Sequence, residues 1–202
     1  RACRRRSWAP PIGHKVLGWA IFLAGVFGSA PLGAASLQLT QTQIDEAIRF
    51  GRESVVSDAF GGEWQAADSV GGTVSVVTPF HRLALAARNA AFKEESLKPR
   101  EIAKVLRENR GRLSFWVTVR GSGEEFARRY QALLLAQGTE IKASFIQNEQ
   151  TARREEGGRY VARCLYSFPT ASLDPYGRVT LVVKDHGGRN VARFNIDLAA
   201  MR

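Results

Sequence analysis

Apolar residues along this chain recur with a helical period before residue 111 and with an alternating period after it. From residue 79 to about residue 94, and again from residue 99 to residue 110, apolar side chains fall three or four positions apart. This spacing is typical of amphipathic helices. Each segment begins with a proline, which the first turn of a helix tolerates because its missing N–H has no partner there. The two segments therefore predict a helical hairpin.

Beyond Gly111, apolar and polar side chains alternate, as they do in strands with one buried face. The alternating segments are residues 113–119, 141–147, 159–168, 178–184 and 190–198. Asp185-His186-Gly187-Gly188 joins the last two segments, which predicts a β-hairpin. Residues 123–137 fit a capped helix, but 130–136 fit a strand equally well, because short apolar runs do not distinguish the two. Both alternatives stay open.

The chain before residue 79 predicts one short helix, one long loop and one strand. Thr42 and Asp45 form a pattern typical of a helix start, and the helix is expected to end near Gly51. Paired glycines punctuate residues 53–72, which predicts a loop. Residues 73–77 are rich in β-branched side chains and predict a strand.

These elements together predict an α+β fold. We expect N-terminal helices, including the helical hairpin, to pack on an antiparallel β-sheet or β-sandwich of about six strands. Residues 36–202 are expected to form a single domain. Its first part, 36–110, is mostly helical with the long loop 53–72, and its second part, 111–202, is mostly β.

The first 35 residues have the layout of a secretory signal peptide. A basic segment ending at Lys15 precedes fifteen uncharged, mostly apolar residues, 16–30, and small side chains follow at Gly33 and Ala35. We therefore expect residues 1–35 to be cleaved, with Ser36 as the first residue of the mature chain. This predicts a periplasmic or secreted protein.

The alternative is that the apolar segment is retained as a membrane anchor. A bilayer span needs about 20 apolar residues, and the apolar density of this chain falls after Pro31. Cleavage is therefore the favoured interpretation, and no stable membrane anchor is expected after it.

The basic character of the chain is concentrated in this leader. Of the formal net charge of +10, five units come from the first 35 residues, which hold five basic and no acidic residues. Residues 36–202 hold 24 basic and 19 acidic residues, a net charge of only +5. Since this smaller excess is spread along the sequence, we expect no nucleic-acid partner.

Motif searches find no catalytic or cofactor-binding pattern. The sequence has no Gly-x-Ser-x-Gly elbow, no Cys-x-x-Cys or His-Glu-x-x-His metal motif and no glycine-rich phosphate loop. We therefore predict no catalytic residues, no metal ligands and no cofactor. The alternative is a hydrolase or ligand-binding enzyme whose site is assembled from distant residues, with His81, Asp58 and Glu63 as candidates.

The loop 53–72 is the most unusual segment outside the leader. Four acidic residues, Glu53, Asp58, Glu63 and Asp68, occur between residues 53 and 81 without any lysine or arginine, and Trp64 lies among them. One hypothesis is that the carboxylates bind Ca²⁺ or a cationic partner, because hard cations prefer several oxygen ligands. The favoured alternative is a solvated loop that packs its own tryptophan.

Aromatic side chains on loops and sheet faces often anchor protein partners. We therefore predict a binding surface formed by Trp64, Asp58, Glu63 and Asp68, joined by Trp116. The expected partner is an unknown protein or envelope component.

One cysteine remains after removal of the leader. Cys164 shares the alternating face of Ala162, Tyr166 and Phe168, which indicates a buried thiol.

The C-terminal stretch Phe194-Asn195-Ile196-Asp197-Leu198-Ala199-Ala200-Met201-Arg202 resembles exported bacterial proteins that are uncharacterised. The resemblance covers residues 42–202 loosely and includes no catalytic motif. It implies export and a bacterial source, and it implies no activity. The sequence thus predicts an exported, non-enzymatic binding or interaction module.

Overall fold

Residue 35 and residues 37–202 are described by the computed structural model of this protein. The predicted leader therefore lies outside the described residues, except for Ala35. The described residues belong to one compact unit. None of the helices in the described part of the chain has the length and hydropathy of a membrane span.

The helices of the described chain are α1 (Gln41–Glu53), α2 (Pro79–Phe92) and α3 (Pro99–Glu108). Two short 3-10 turns accompany them, Gly62–Trp64 and Leu198–Ala200. α2 and α3 follow each other and contact each other, as the helical spacing predicted. Thr78 caps α2, since its hydroxyl accepts a hydrogen bond from the N–H of His81 at 3.1 Å.

α1 begins earlier than the pattern at Thr42 predicted. Its N-cap is Thr40, whose hydroxyl accepts from the N–H of Gln43 at 3.3 Å, while the Gln43 side chain accepts from the N–H of Thr40 at 2.9 Å. The reciprocal bonds of this capping box need a residue with a long polar side chain three positions after the cap. Gln43 supplies it for Thr40, which fixes the start of the helix there.

α1 also continues beyond Gly51, where we expected it to end. Gly51 is buried, and a Cβ atom placed on it would overlap the backbone carbonyl of Ala84 in α2. The glycine therefore lets two helices approach closely instead of ending one of them.

The strands of the described chain are, in order, β1 (Gln65–Ala67), β2 (Thr73–Val77), β3 (Arg112–Gly121), β4 (Gln131–Ala136), β5 (Thr139–Lys142), β6 (Phe145–Asn148), β7 (Arg153–Arg154), β8 (Tyr160–Pro169), β9 (Arg178–Lys184) and β10 (Asn190–Asp197). They form two antiparallel sheets. The first has six strands in the order β1-β2-β3-β8-β6, with β7 also paired to β8, and the second has four in the order β10-β9-β4-β5. The α+β fold with a sheet of about six strands is thus confirmed.

The two sheets pack face to face around one hydrophobic core. Alternate residues of the long strands supply it, among them Leu113, Phe115 and Val117 of β3, Tyr166 and Phe168 of β8, Leu181 and Val183 of β9, and Phe194 and Ile196 of β10. Cys164 lies in this core as a free, fully buried thiol, as predicted, and burial raises its pKa. Phe80, Leu83 and Ala84 of α2 join the same core.

Two segments differ from the sequence-based expectations, and in a third the structure decides between the two alternatives. The predicted strand 141–147 is two strands, β5 and β6, which belong to different sheets and are separated by Ala143-Ser144. The predicted loop 53–72 contains the end of α1, a 3-10 turn and β1. Of the two alternatives for residues 123–137, the structure shows turns followed by the strand β4.

Candidate functional site

Trp64 is fully buried, so the prediction that it anchors a partner is wrong. It belongs to an aromatic cluster with Phe50, Phe60, Phe80 and His81. Its ring stacks on the His81 imidazole with centroids 4.4 Å apart. Its indole N–H donates to the backbone carbonyl of Arg202 at 2.8 Å. Trp64 therefore joins the C-terminal residue of the chain to the helical layer.

Glu63, a second residue of the predicted binding surface, is engaged in the same region. Its carboxylate accepts hydrogen bonds from the Arg202 guanidinium at 3.0 and 3.1 Å. That guanidinium also lies over the Phe50 ring, 4.2 Å from its centroid. An acidic side chain held in this way is committed to the fold and is not free to bind a cation.

The residues proposed for a dispersed catalytic site are not joined to one another by hydrogen bonds or ion pairs within the described residues. The His81 Nδ1 atom lies 3.0 Å from the carbonyl of Val76, and burial lowers the pKa of the ring below its ordinary value. None of the hydrogen bonds of the described residues joins His81 to a carboxylate. Asp58 is exposed on the turn that follows α1. The environment of His81 is that of a neutral core histidine.

The acidic residues of the loop do not form a metal site either. Asp68 accepts hydrogen bonds from the N–H groups of Val70 at 3.0 Å and Gly72 at 2.6 Å, which closes the turn between β1 and β2. Among the described residues, no group of three or more His, Cys, Asp or Glu side chains is arranged to hold a metal ion. The calcium hypothesis therefore has no structural basis in this loop.

Trp116, the remaining predicted residue, lies in a groove on the outer face of the six-stranded sheet. The groove has a volume of about 190 Å³. We call it the outer groove, and its lining residues are Val77, Arg82, Glu108, Asn109, Arg112, Ser114, Trp116, Phe145, Leu165 and Ser167. It thus combines an apolar floor formed by strands with charged side chains from α2, α3 and the first residue of β3.

The strand register explains why these residues share one face. Ser114 and Trp116 alternate with the buried core residues of β3, and they pair with Ser167 and Leu165 of β8. Phe145 of β6 pairs with Ser167 from the other side. Because alternate residues of adjacent strands point to the same side of a sheet, the indole, the phenyl ring and the leucine meet above β8.

Two serine hydroxyls lie at the floor of the outer groove. The oxygens of Ser114 and Ser167 are 2.7 Å apart, and both residues are almost completely buried. Nucleophilic catalysis needs a hydroxyl beside a general base. Within the described chain, neither hydroxyl is hydrogen bonded to an imidazole or a carboxylate. The pair is therefore a polar, hydrogen-bonded patch and not an activated nucleophile.

The rim of the outer groove carries two arginines that form no ion pair among the described residues. They are Arg82 and Arg112, and both are exposed. Glu108, the carboxylate at the groove, forms an ion pair with the Lys104 ammonium group at 3.9 Å. Arg163 lies over the Trp116 ring at 5.2 Å from its centroid. The arrangement suits an apolar group that carries or adjoins an anion.

A second cleft, of about 440 Å³, lies between the turn before β4 and the β9–β10 hairpin. Its charged groups are largely paired with one another. Asp185 forms an ion pair with Arg189 at 2.8 Å, and Glu125 forms one with Arg128 at 2.9 Å. The N–H of Arg189 also lowers the pKa of the Asp185 carboxyl. Because these groups already satisfy each other, the outer groove is the stronger candidate.

Sequence reasoning identified Trp116 but missed the rest of the groove. Ser114 carries a detectable signal, since it occupies the same alternating face as Trp116 two positions away. Arg112 carries the same signal, since it lies two positions before Ser114 in β3. Phe145 and Arg82 carry no such signal, because they reach the groove only through the pairing of separate strands and the placement of α2.

Comparisons with known proteins add little to this geometry. No family model matches the chain, and no curated protein matches its sequence. A crystal structure described as a novel protein of unknown function from Burkholderia pseudomallei is similar, with a TM-score of 0.41 and 11% sequence identity. The similarity covers 81% of this chain and 92% of that one. It is a likeness to a bacterial protein and suggests no activity.

Proposed function

We propose that this protein is an exported, non-enzymatic binding module that uses the outer groove to hold an apolar group next to an anionic one. The observation that carries the proposal is the combination, in one groove, of Trp116 and Phe145 with the unpaired guanidinium groups of Arg82 and Arg112. Phe145 is 45% exposed. Exposed aromatic rings beside free arginines are typical of binding surfaces.

The size of the outer groove supports a contact site over an enzyme pocket. Pockets that enclose drug-sized ligands have volumes of roughly 300–1,000 Å³. The outer groove, at about 190 Å³, is smaller. Its volume suits a group about the size of one side chain, which is what a binding module takes from its partner.

Phenylpropionate is a suitable probe of the groove, because it joins one phenyl ring to one carboxylate. We expect it to shift the NMR signals of the Trp116 indole N–H and of the Ser114 and Ser167 amides, and to bind at least tenfold more tightly than phenylpropanol or acetate. Replacing Trp116 by alanine should weaken this binding about tenfold or more, a loss of about 1.4 kcal/mol.

The matched control is Tyr176→Ala, which removes an aromatic ring that is 65% exposed and does not line the outer groove. This variant should bind the probe as the unmodified protein does. Signal shifts scattered over the surface, or equal binding of the charged and neutral probes, would show that the outer groove is not a binding site.

Export is the second part of the proposal, and the structure adds one constraint to it. Ala35, which precedes the expected cleavage point, is buried, and its N–H donates to the carbonyl of Leu198 at 2.9 Å. Proteases cleave accessible chain segments, so cleavage after Ala35 has to precede folding. Mass spectrometry of the protein from the native host should find a chain that begins at Ser36. A chain that retains residues 16–30 would contradict the cleaved leader.

A further inference from the structure

We infer that β6 is the docking edge for an extended, acidic polypeptide segment, which adds a strand to the six-stranded sheet beside the outer groove. The inference rests on the proposed function and names the class of partner. Strand addition to an exposed sheet edge is a common mode of peptide recognition, in which main-chain hydrogen bonds supply affinity and side-chain contacts supply specificity.

β6 is an edge strand without the usual protection. It pairs with β8 alone. Its sequence, Phe-Ile-Gln-Asn, contains no charge and no proline, and Phe145 and Ile146 are 45% and 42% exposed. Soluble proteins generally protect such edges with charges, prolines or bulges. The edge strand at the other end of the same sheet, β1, has only three residues and contacts β10.

The backbone of β6 offers free hydrogen-bonding groups. The N–H of Glu149, just after the strand, donates to the carbonyl of Arg163 at 3.2 Å. In an antiparallel ladder, successive residues direct their N–H and C=O groups alternately toward the paired strand and away from it. Those of Ile146 therefore point away from β8 and are the groups that an added strand would meet, whereas the Asn148 carbonyl already accepts from the Gln150 Nε2 atom at 3.0 Å.

The edge is also held in a fixed position. The Asn148 Oδ1 atom accepts from the Tyr166 hydroxyl at 3.0 Å, and its Nδ2 atom donates to the carbonyl of Tyr130 at 2.8 Å. These bonds tie β6 to β8 and to the turn that precedes β4. A pre-formed edge lowers the ordering cost of binding.

Charge complementarity selects an acidic occupant. β7 lies farther along the same side of β8, and its residues Arg153 and Arg154 are exposed. Neither of them, nor Arg163 over the Trp116 ring, forms an ion pair among the described residues. Arg153, Arg154 and Arg163 thus lie along β7 and β8 next to the docking edge, beside one carboxylate, Glu149, which accepts from the backbone N–H of Arg163 at 2.7 Å. A second copy of this basic chain would oppose like charges here, which disfavours a homodimer.

The probe is a blocked hexapeptide, Glu-Val-Glu-Phe-Glu-Val, titrated into the full protein. We expect it to bind at least tenfold more tightly than Lys-Val-Lys-Phe-Lys-Val. We also expect it to bind at least tenfold more tightly than the same acidic peptide with alternate amides N-methylated, since methylation removes the donors that pair with β6. Equal binding of the acidic and basic peptides, or of the methylated and unmethylated ones, would overturn the inference.

Two variants at one position separate backbone pairing from side-chain contact. Ile146→Pro removes an N–H that points away from β8, and a proline is tolerated on the free side of an edge strand. It should weaken peptide binding at least tenfold, whereas Ile146→Thr, which keeps the N–H, should weaken it less than threefold. The amide NMR spectrum of each variant verifies that the fold is retained. If both variants lose binding equally, strand addition is contradicted.

The outcomes distinguish this inference from the proposed function. If phenylpropionate binds at Trp116 but the acidic peptide does not bind, only the strand-addition inference fails. If phenylpropionate also fails to bind, the outer groove itself is wrong. If the protein alone is dimeric in light scattering and Ile146→Pro makes it monomeric, the occupant of the edge is a second copy, and the acidic-segment inference is overturned.

Discussion

Replacing Trp64 by alanine is expected to lower the free energy of unfolding by about 3–5 kcal/mol, the range measured when a large aromatic side chain is removed from a core. The ring is fully buried and stacks on His81. Its N–H also holds the Arg202 carbonyl, which has one other side-chain donor, the Thr78 hydroxyl at 2.7 Å. The substitution therefore leaves a cavity and removes one of the two side-chain donors to the Arg202 carbonyl. Urea unfolding followed by far-ultraviolet circular dichroism measures the loss.

Two further substitutions identify the cause of this loss. Trp64→Phe keeps an aromatic ring but removes the donor to Arg202. We expect it to lower the free energy of unfolding by less than half as much as Trp64→Ala does. Trp116→Ala deletes the same side chain from a half-buried position in the outer groove, and its cost should also be less than half. A Trp64→Ala protein as stable as Trp116→Ala would mean that the aromatic cluster does not hold the C-terminal residue in place.

The elements that the sequence predicted well are those whose stability depends on local patterns. Alternation in β3 and β8 and helical spacing in α2 and α3 reflect which face of each element is buried, and this information lies within ten or so neighbouring residues. Cys164 was placed correctly for the same reason, because its burial follows from its position in the alternation of β8.

Trp64 was misplaced because its burial depends on the other end of the chain. Its indole donor meets Arg202, 138 residues away in sequence. Glycines and acidic residues surround Trp64 in the sequence, as they would in an exposed loop. No neighbouring residue predicts its contact with Arg202. Local composition therefore predicted a solvated surface where the tertiary structure makes an aromatic core.

The outer groove illustrates the same limit for functional residues. The pairing of Ser114 with Ser167 depends on the register between β3 and β8, which are about fifty residues apart in sequence. The sheet change at Ala143-Ser144, which places Phe145 beside them, is hidden because the alternation continues through it. Candidates on one strand were accessible from the sequence, but their neighbours across the sheet were not.

Replacing Gly51 by alanine tests how closely α1 packs on α2, because close packing and helix propensity predict changes of opposite sign in the free energy of unfolding. In the interior of an exposed helix, Gly→Ala stabilises by about 1 kcal/mol because alanine has the higher helix propensity. At Gly51 the added methyl group overlaps the carbonyl of Ala84, a backbone atom that cannot move aside by changing rotamer. We therefore expect destabilisation of about 1–3 kcal/mol, the usual cost of overpacking, and a larger loss for Gly51→Val.

Gly62→Ala is the matched control for this test. A Cβ at Gly62 would have no heavy atom within 4 Å, so this substitution should change the free energy of unfolding by less than about 0.5 kcal/mol, as surface substitutions usually do. Urea unfolding of the two alanine variants under the same conditions gives the comparison. Stabilisation by Gly51→Ala would mean that α1 and α2 are farther apart than the structure places them. Destabilisation by that variant alone would show that Gly51 is required for the close packing of α1 on α2.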